Sequence, residues 1–463
     1  MGFLYGSAAG EPLVIDGATL VDVSAFGASH QDIPDSVVVV QGGEIVAAGP
    51  RASVQVPAGA KVLDARGKYL VPGLHDLFAT VNNQGQASAY LAMGVTSIVG
   101  IDEPGGRRGP LFLGAQPGPR VYPLEEIDGY DESSVALADR SIYTLTQGRA
   151  LSETELVAEV DRLARGGAKV LLLYYTLSPQ QVRVVARRAR ELGLATIGEL
   201  GATTYPEGID AGVMAFVHTS RYSLDLAPEP LRAEVARAPF GPPRRKFYEF
   251  LNSVGSDAPV LQHYAAVLAK ARVGLIPTLA MNYLDLPGHA NPWKEPTAAL
   301  LDPADIHLPA NRETGEPQRP ENAVRDGFPQ GASEHLGVLE SAYCQAGAKY
   351  LAGSGTDAFG TMPGISLHIE LELLVKACLT PRQALAAATG NVGELFPWPK
   401  VGQVKAGYHA DVLVLDADPT ADIANLKKIQ RVILAGKVLD PQALLMEPLL
   451  GRSVWRKVGD PTN

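Results

Sequence analysis

Residues 71–80 have the form of a strand-end motif that binds a metal ion, but two positions of that motif hold residues of another type. In such a motif, two histidines separated by one residue bind a divalent metal through their imidazole nitrogens. Here those positions are Phe78 and Thr80. An apolar ring and a hydroxyl cannot replace two imidazoles as metal ligands. The segment therefore predicts that this chain does not use the metal chemistry that the motif normally supports.

Apolar runs of strand length alternate with helix-like segments over the middle of the chain. The apolar runs are at 96–100, 120–123, 170–175, 195–200, 214–219, 274–279 and 349–353. The helix-like segments are at 153–165, 179–192, 263–271, 334–346 and 367–377. Alternation of strands and helices is typical of a parallel sheet. A further strand at 69–78 brings the count to eight, which predicts a (β/α)8 TIM barrel with its chemistry at the C-terminal strand ends.

Short strands broken by turns occupy both ends of the chain. Residues 1–71 and 402–463 have the hairpin spacing of a small β-sandwich, and the strands of the two ends match each other in length. The barrel then covers residues 72–401. Two proline-rich segments, 225–243 and 282–330, interrupt its pattern, and we expect them to form lids over the barrel mouth.

The overall composition argues against several kinds of partner. The 463 residues are 46% hydrophobic and 19% charged, which is typical of a globular protein. A net charge of −10 argues against nucleic acid, because binding phosphates needs a basic surface. The apolar runs are far shorter than the roughly 20 residues of a membrane helix, and the first residues do not resemble a secretory leader. We therefore expect a cytoplasmic protein that acts on a small molecule.

The chain contains two cysteines, Cys344 and Cys378, each in a helix-like segment. Reduced cysteines behave as small apolar side chains and are often buried. We expect two buried thiols here rather than a disulfide.

Short motifs in a fixed order along nearly the whole chain carry a family resemblance. They are GATLVD at 17–22, VPGL at 71–74, GVTS at 94–97, LSP at 177–179, GSGTDA at 353–358, LTP at 379–381, AAATGN at 386–391 and the stretch 402–415. In this order they resemble the amidohydrolase superfamily, in its imidazolonepropionase-like and prolidase-like branch. The resemblance implies a TIM barrel that carries a small β-sandwich built from both termini, residues 1–71 and 402–463. It also implies hydrolysis of C–N or related bonds by a metal-activated water.

The resemblance further implies six metal-ligand positions at the strand ends. Four of them differ from the family pattern: Phe78 and Thr80 stand for two histidines of strand 1, Leu172 for the bridging lysine of strand 4, and Gly198, followed by Glu199, for the histidine of strand 5. The other two are retained as His218 on strand 6 and Asp357 on strand 8. Because the bridge and both strand-1 histidines are lost, we expect a degenerate site without a binuclear centre.

The resemblance places Glu199, His218 and Asp357 in one cavity, where we expect them to be the catalytic residues. Phe78 and Leu172 would line this cavity and lower its dielectric constant, and a carboxyl group then tends to stay protonated. A neutral acid beside an imidazole is a general acid–base pair. We therefore expect isomerisation, elimination or cyclisation of a small, fairly apolar organic substrate, without a cofactor.

Four further residues are predicted to contact the substrate, namely Thr80, Tyr174, Arg221 and Tyr222. Tyr174 is followed by Tyr175, and strand alternation allows only one of these two rings to face the barrel interior. The other would belong to the core or to an interface.

Two alternatives remain open. A single divalent metal held by His218, Asp357 and Glu199 would make the protein a mononuclear hydrolase of C–N or related bonds. The chain could instead be an inactive pseudoenzyme that binds a ligand or a partner, with Glu199 paired to Arg221. A homo-oligomer is expected by analogy with relatives of this branch.

Overall fold

The computed structural model describes residues 11–102, 109–131, 148–221, 224–237, 242–307, 310–317 and 332–446. The strands in these ranges are β1 (Leu13–Leu20), β2 (Ile33–Gln41), β3 (Glu44–Pro50), β4 (Lys61–Asp64), β5 (Tyr69–Pro72), β6 (Leu74–Ala79), β7 (Val95–Ile101), β8 (Arg120–Ile127), β9 (Tyr130–Asp131), β10 (Arg149–Ala150), β11 (Val170–Leu173), β12 (Ala195–Gly198), β13 (Ala215–Val217), β14 (Gly274–Ile276), β15 (Lys349–Tyr350), β16 (Val412–Leu415), β17 (Ile429–Leu434) and β18 (Lys437–Leu439).

The helices of the same ranges lie mostly between the strands of the barrel region. They are α1 (Gln84–Ala92), α2 (Glu153–Gly166), α3 (Pro179–Glu191), α4 (Tyr205–Ala211), α5 (Glu229–Arg237), α6 (Pro242–Leu251), α7 (Pro259–Lys270), α8 (Ala332–Gln345), α9 (Ile365–Ala377), α10 (Pro381–Ala387), α11 (Gly390–Leu395) and α12 (Pro441–Leu445). Serine and threonine side chains cap several of them: Ser152 caps α2 and Ser178 caps α3, each within a capping box. Among the described residues, no helix is both long and apolar enough to cross a lipid bilayer.

Eight parallel strands form a curled sheet in the order β6-β7-β8-β11-β12-β13-β14-β15. Because all of them run the same way, their C-terminal ends meet at one edge. In the described residues no strand ladder joins β6 to β15. Two backbone hydrogen bonds bridge the gap, from Leu77 N to Ala352 O at 3.0 Å and from Gly355 N to Phe78 O at 2.8 Å. The mixed α/β fold with a curled, eight-stranded parallel sheet is confirmed, while the strands of the described residues do not close into a complete ring.

The interior of the curled sheet is filled with apolar side chains. Along β11 the residues alternate, since Val170 and Leu172 belong to the interior cluster while Leu171 and Leu173 pack outward against the helices. Phe78 belongs to the same interior cluster. This packing makes the strand ends a rigid base for the groups that follow them.

A second, mixed sheet contains strands from both ends of the chain. Its order is β18-β17-β16-β5-β1-β2-β3, and β4 pairs with β1. Strand β16 lies antiparallel to β5, with Val412 opposite Pro72 and Leu415 opposite Tyr69. Strands from both ends of the chain therefore build one sheet together, as the family resemblance implied.

Gly73 separates the two sheets. The sequence pattern predicted a single strand over 69–78, and this was wrong, because β5 belongs to the terminal sheet and β6 to the barrel sheet. The Gly73 N–H donates to Asp411 O at 2.9 Å, and a Cβ atom at Gly73 would collide with the side chain of Thr96. Only glycine allows this close approach. Both halves of the segment are apolar, so its hydrophobic pattern shows no break.

The described parts of the two proline-rich segments are folded and packed. The first contains α5 and the start of α6. In the second, Trp293, Leu300 and Ile306 pack with Ile365 and Ile369 of α9 in a separate apolar cluster. Over its described length the second segment thus packs against α9, and its His307 also contacts Phe359 in the loop that carries Asp357.

Cys344 and Cys378 form a disulfide, so the prediction of two reduced thiols was wrong. Cys344 lies in α8 and Cys378 directly follows α9, with 6.0 Å between their Cα atoms. The sequence placed each cysteine in a helical segment but could not show that α8 and α9 are neighbours.

Candidate active site

His218 lies directly after β13 at the C-terminal edge of the barrel sheet. Its N–H donates to Ile276 O of β14 at 2.8 Å, and its side chain is buried. Its backbone φ is 55°, and Thr278, just beyond β14, has a φ of 53°. This left-handed conformation costs a non-glycine residue on the order of 1–3 kcal/mol and is most frequent at functional sites. Two neighbouring strand ends therefore share an unusual backbone that aims their side chains.

The hydroxyl of Thr278 determines which nitrogen of His218 carries hydrogen. Thr278 Oγ1 donates its proton to Pro277 O at 2.6 Å. The same oxygen makes a short hydrogen bond with His218 Nδ1, in which it must then be the acceptor. On this hydrogen-bond network Nδ1 is protonated, so Nε2 of the neutral ring is a proton acceptor.

The carboxyl group of Glu199 faces His218 Nε2. The Nε2–Oε1 distance is 3.7 Å, and the two side chains are only 5% and 9% exposed. Glu199 follows β12, where its N–H donates to Leu173 O at 2.9 Å. The distance is slightly longer than a hydrogen bond, so a small movement or an intervening substrate atom would join the two groups. The structure thus brings together two of the three predicted catalytic residues.

Asp357 lies in the loop between β15 and α9 and is buried. This loop is attached to strand β6, since Gly355 N donates to Phe78 O and Ser354 N donates to Asp76 Oδ1 at 2.8 Å. Burial raises the pKa of Asp76 to about 6, although its bonds with Ser354 act in the opposite direction. The segment that carries Asp357 is therefore fixed to the same strand end as Phe78.

The predicted pocket walls lie beside and below the imidazole. The ring of Phe78 stands edge-on to that of His218, with 5.1 Å between centroids and an interplanar angle of 83°. Phe78 and Leu172 are almost completely buried in the barrel interior. Thr80 is also buried, and its hydroxyl makes long hydrogen bonds with Ile101 O at 3.5 Å and Asn82 Nδ2 at 3.4 Å. The floor below His218 is therefore apolar.

Tyr174 and Tyr175 lie together beyond the end of β11. Their ring centroids are 3.8 Å apart, and their hydroxyl groups share a hydrogen bond of 2.8 Å. Strand alternation does not govern them, because β11 ends at Leu173. Of the other two predicted substrate contacts, Arg221 lies over the ring of Phe359 at 5.6 Å. Tyr222 lies outside the described residues.

Three residues near the site were not predicted from the sequence. Thr278 is at the end of the predicted strand 274–279, so the barrel rule for strand ends would have pointed to it. Phe359 follows Asp357 and contacts Arg221. Arg244 of α6 is buried, donates to Tyr248 Oη at 2.7 Å and lies 6.0 Å from the ring centroid of Tyr175. The sequence offered no signal for this position.

Two buried carboxyl groups attach helices α8 and α9 to the segments that carry His218 and Thr278. Glu340 of α8 accepts hydrogen bonds from Thr219 Oγ1 and from Tyr350 Oη, the latter at 2.9 Å, and burial raises its pKa to about 7. Glu370 of α9 accepts from Ala280 N at 2.7 Å, and burial raises its pKa well above the usual value. Thr219 follows His218 in the chain, so α8 and α9 help to position the site.

The donors at the strand ends do not fit a binuclear metal centre. The first strand and the fourth supply Phe78, Thr80 and Leu172, which together offer one hydroxyl oxygen. Across the part of the chain that the structure describes, no three or more His, Cys, Asp and Glu side chains are grouped closely enough to hold a metal ion.

Comparison with known proteins agrees with this architecture. The model of the amidohydrolase family matches residues 307–439. The chain superposes on a putative prolidase from Bifidobacterium longum with a TM-score of 0.59 and 20% identity, over 95% of this chain and 99% of that one. Molinate hydrolase gives a TM-score of 0.60 and 16% identity over 96% and 97% of the two chains, and phenylurea hydrolase B gives 0.60 and 18% over 95% and 99%. No curated protein sequence matches the chain significantly.

The family match and the shared fold lead to the same class. The amidohydrolase family model matches residues 307–439, less than half of the chain, and the structural neighbours, which include a putative prolidase, support the amidohydrolase superfamily for this chain. This agrees with the resemblance seen in the sequence motifs. Identities of this size carry the fold and leave the reaction to be argued from the site.

Proposed function

We propose that this protein is an enzyme that acts by general acid–base chemistry on a small, fairly apolar organic substrate. His218 and Glu199 would be the main proton-transfer groups, with Asp357 as a third ionisable group at the same strand edge. The observation that carries the proposal is the hydrogen bond of Thr278 with His218 Nδ1, which leaves Nε2 as an acceptor opposite the Glu199 carboxyl group.

In the proposed reaction, His218 Nε2 accepts a proton from the substrate and the Glu199 carboxyl group donates a proton to a different substrate atom. The substrate then gains and loses one proton, as an isomerisation requires. In an elimination, the donated proton leaves with the departing group. In either case the imidazolium and carboxylate that form face each other, and their opposite charges stabilise the intermediate state.

The surroundings of the pair favour an apolar substrate. Phe78 and Leu172 form an apolar floor, and Tyr174 with Tyr175 supplies an aromatic wall at the end of the fourth barrel strand. A site of this kind excludes water from the transferred protons and strengthens the electrostatic interactions of the pair. It suits a carbon skeleton with few charged groups.

The proposal is tested by proton exchange, which detects turnover of any compound that the protein converts. The purified protein is incubated with a metabolite extract in D2O, and mass spectrometry detects compounds that gain non-exchangeable deuterium or change structure. We expect at least one small organic compound to do so with the unaltered protein. With His218→Ala we expect its conversion to fall by about two to four orders of magnitude.

Glu199→Gln should also lower the conversion, because glutamine keeps the shape but cannot donate a proton. Asn252→Ala, at an exposed position after α6, is the matched control and should leave conversion unchanged. Conversion that survives His218→Ala would contradict the proposal. Conversion that stops on treatment with a chelator and returns with zinc or manganese would instead support the mononuclear hydrolase.

A further inference from the structure

The disulfide between Cys344 and Cys378 closes a covalent loop at the end of the barrel region. The two cysteines are 34 positions apart, and the segment between them contains β15, the loop with Asp357 and all of α9. A cross-link limits how far the two points that it joins can separate. The bridge therefore fixes the end of α8 against the end of α9.

Helices α8 and α9 also hold two strand-end segments of the candidate active site. Glu340 of α8 accepts a hydrogen bond from the hydroxyl of Thr219, the residue after His218. Glu370 of α9 accepts a hydrogen bond from Ala280 N at 2.7 Å. Both carboxyl groups are fully buried, so each bond depends on the position of its helix.

The cysteines lie in register with these two carboxyl groups. Cys344 follows Glu340 by about one helical turn, and Cys378 follows Glu370 by about two turns. Residues with these spacings lie on the same face of a helix. A change in the spacing of the helices at the bridge is therefore transmitted to the sides that carry the carboxyl groups.

The bridge can be approached from solvent. Cys378 is exposed at the surface, whereas Cys344 is 7% exposed. Exposed disulfides are the more easily reduced ones, because a thiolate must reach one of the two sulfur atoms. Leu339 of α8 and Leu371 of α9 belong to the large apolar core, so both helices stay packed when the bridge opens.

We propose that this disulfide is a redox-sensitive lock on the candidate active site. A dithiol, either a small molecule or a protein with a thioredoxin-type pair of cysteines, opens it. The bonds from Glu340 to Thr219 and from Glu370 to Ala280 then weaken, and the segments that they hold become more mobile.

The opening of the lock is a thiol–disulfide exchange. A thiolate of the dithiol attacks Cys378 Sγ, and the bond to Cys344 breaks. Cys344 Sγ leaves with the electron pair and takes up a proton. The second thiol of the reductant then attacks the mixed disulfide and releases Cys378. The dithiol is thereby oxidised to a disulfide, and the protein gains two thiols.

Hydrogen exchange followed by mass spectrometry tests the lock on the full-length protein, oxidised or kept in dithiothreitol without denaturant. The reductant has one target, because the chain contains two cysteines. We expect both thiols to react with an alkylating reagent, and amide exchange in segments 215–221 and 277–285 to become about tenfold faster. Exchange in residues 33–50 of the terminal sheet should stay the same.

Three results would overturn the proposal. They are absence of alkylation, unchanged exchange in either of the two site segments, and acceleration that is equally large in residues 33–50. The last result would mean that reduction unfolds the whole protein.

Cys378→Ser is the matched variant, because serine has a similar size but cannot form the bridge. It should exchange like the reduced protein, and dithiothreitol should change nothing further. Cys344→Ala opens the same bridge from the buried side and takes its place if the serine variant does not fold. An effect of dithiothreitol that persists in the variant would show that the reductant acts elsewhere, which refutes the lock.

The effect of the lock on catalysis rests on the function proposed above. Conversion should fall about tenfold on reduction, because the proton-transfer groups are displaced, and should return when oxidised glutathione restores the bridge. Unchanged conversion by fully reduced protein would contradict the lock. If the oxidised protein converts no compound, the proposed function fails, while the exchange measurement still decides whether the lock exists.

Discussion

The two halves of the barrel mouth differ sharply in chemistry although they share one architecture. The ends of the early strands carry Phe78, Thr80 and Leu172, which are buried and mostly apolar. The later strands end in buried polar groups: Glu199 after β12, His218 after β13 and Thr278 after β14. The same rigid sheet thus supports a packed half and a polar half.

The difference shows how such a site can change without loss of the fold. In the first half, apolar side chains extend the barrel core up to the strand ends, so the positions now contribute to stability. In the second half, hydrogen bonds from α8 and α9 hold the backbone segments that follow His218 and Thr278. These bonds do not require a metal. The polar half therefore keeps its geometry whichever side chains occupy the ends of the early strands.

The largest expected effect concerns the packed half. Phe78→Ala should lower the free energy of unfolding by about 3–5 kcal/mol, because a large buried ring is removed and a cavity remains. Denaturant-induced unfolding measures the change. Phe78→Leu is the matched control and should cost less than about 1.5 kcal/mol, since leucine fills most of the space. A loss below about 1 kcal/mol for the alanine variant would show that this half is not packed as described.

The second prediction concerns the support of the polar half and depends on pH. Burial raises the pKa of Glu340 from its ordinary value of 4.5 to about 7, so between these values the folded protein holds a proton that the unfolded chain has released. Stability contributed by this proton is present below pH 4.5 and falls as the pH rises to about 7. Glu340→Gln cannot release a proton, so at pH 8 it should be more stable by about 3 kcal/mol.

Unfolding measured at about pH 4.5 and at about pH 8 tests this prediction. The two proteins should be similar in stability at the lower pH and differ at the higher one. Glu334→Gln changes an exposed carboxyl group of the same helix and serves as the control, with little change expected at either pH. A variant that is less stable than the unaltered protein at the higher pH would show that the ionised carboxylate is the form that holds Thr219.

The smallest expected effect concerns the hydrogen bond that orients the His218 imidazole. Thr278→Val keeps the branched shape but removes the oxygen that accepts the His218 Nδ1 proton. The loss of one hydrogen bond should reduce kcat by about tenfold, since either ring nitrogen can then carry the proton. Thr278→Ser should restore most of the activity. Equal activity of the valine and serine variants would mean that this hydroxyl does not fix the tautomer.

Much of the fold followed from the sequence because local patterns and the final elements coincide. The apolar run 195–200 contains β12, and the segments 153–165 and 367–377 lie within α2 and α9. The break at Gly73 and the disulfide between Cys344 and Cys378 were not predicted. Both depend on which elements become neighbours in space, and this is not visible in a local hydrophobic pattern.

The candidate site was predictable only in part for a similar reason. The resemblance pointed to Glu199 and His218, and the structure brings their side chains to 3.7 Å. Thr278 and Arg244 were missed because their roles come from partners distant in the chain, His218 and the two tyrosines after β11. The catalytic role of Asp357 and the substrate contact of Tyr222 stay predictions.

The shared sheet of the two chain ends has a consequence for synthesis on the ribosome. Strand β5 ends at Pro72, while its partner β16 begins at Val412, roughly 340 residues later. At a translation rate of about 5–20 residues per second, the edge of β5 that pairs with β16 stays unpaired for roughly 20–70 s, until β16 emerges. During that interval an apolar strand edge is exposed to other nascent chains, and chaperones would have to shield it.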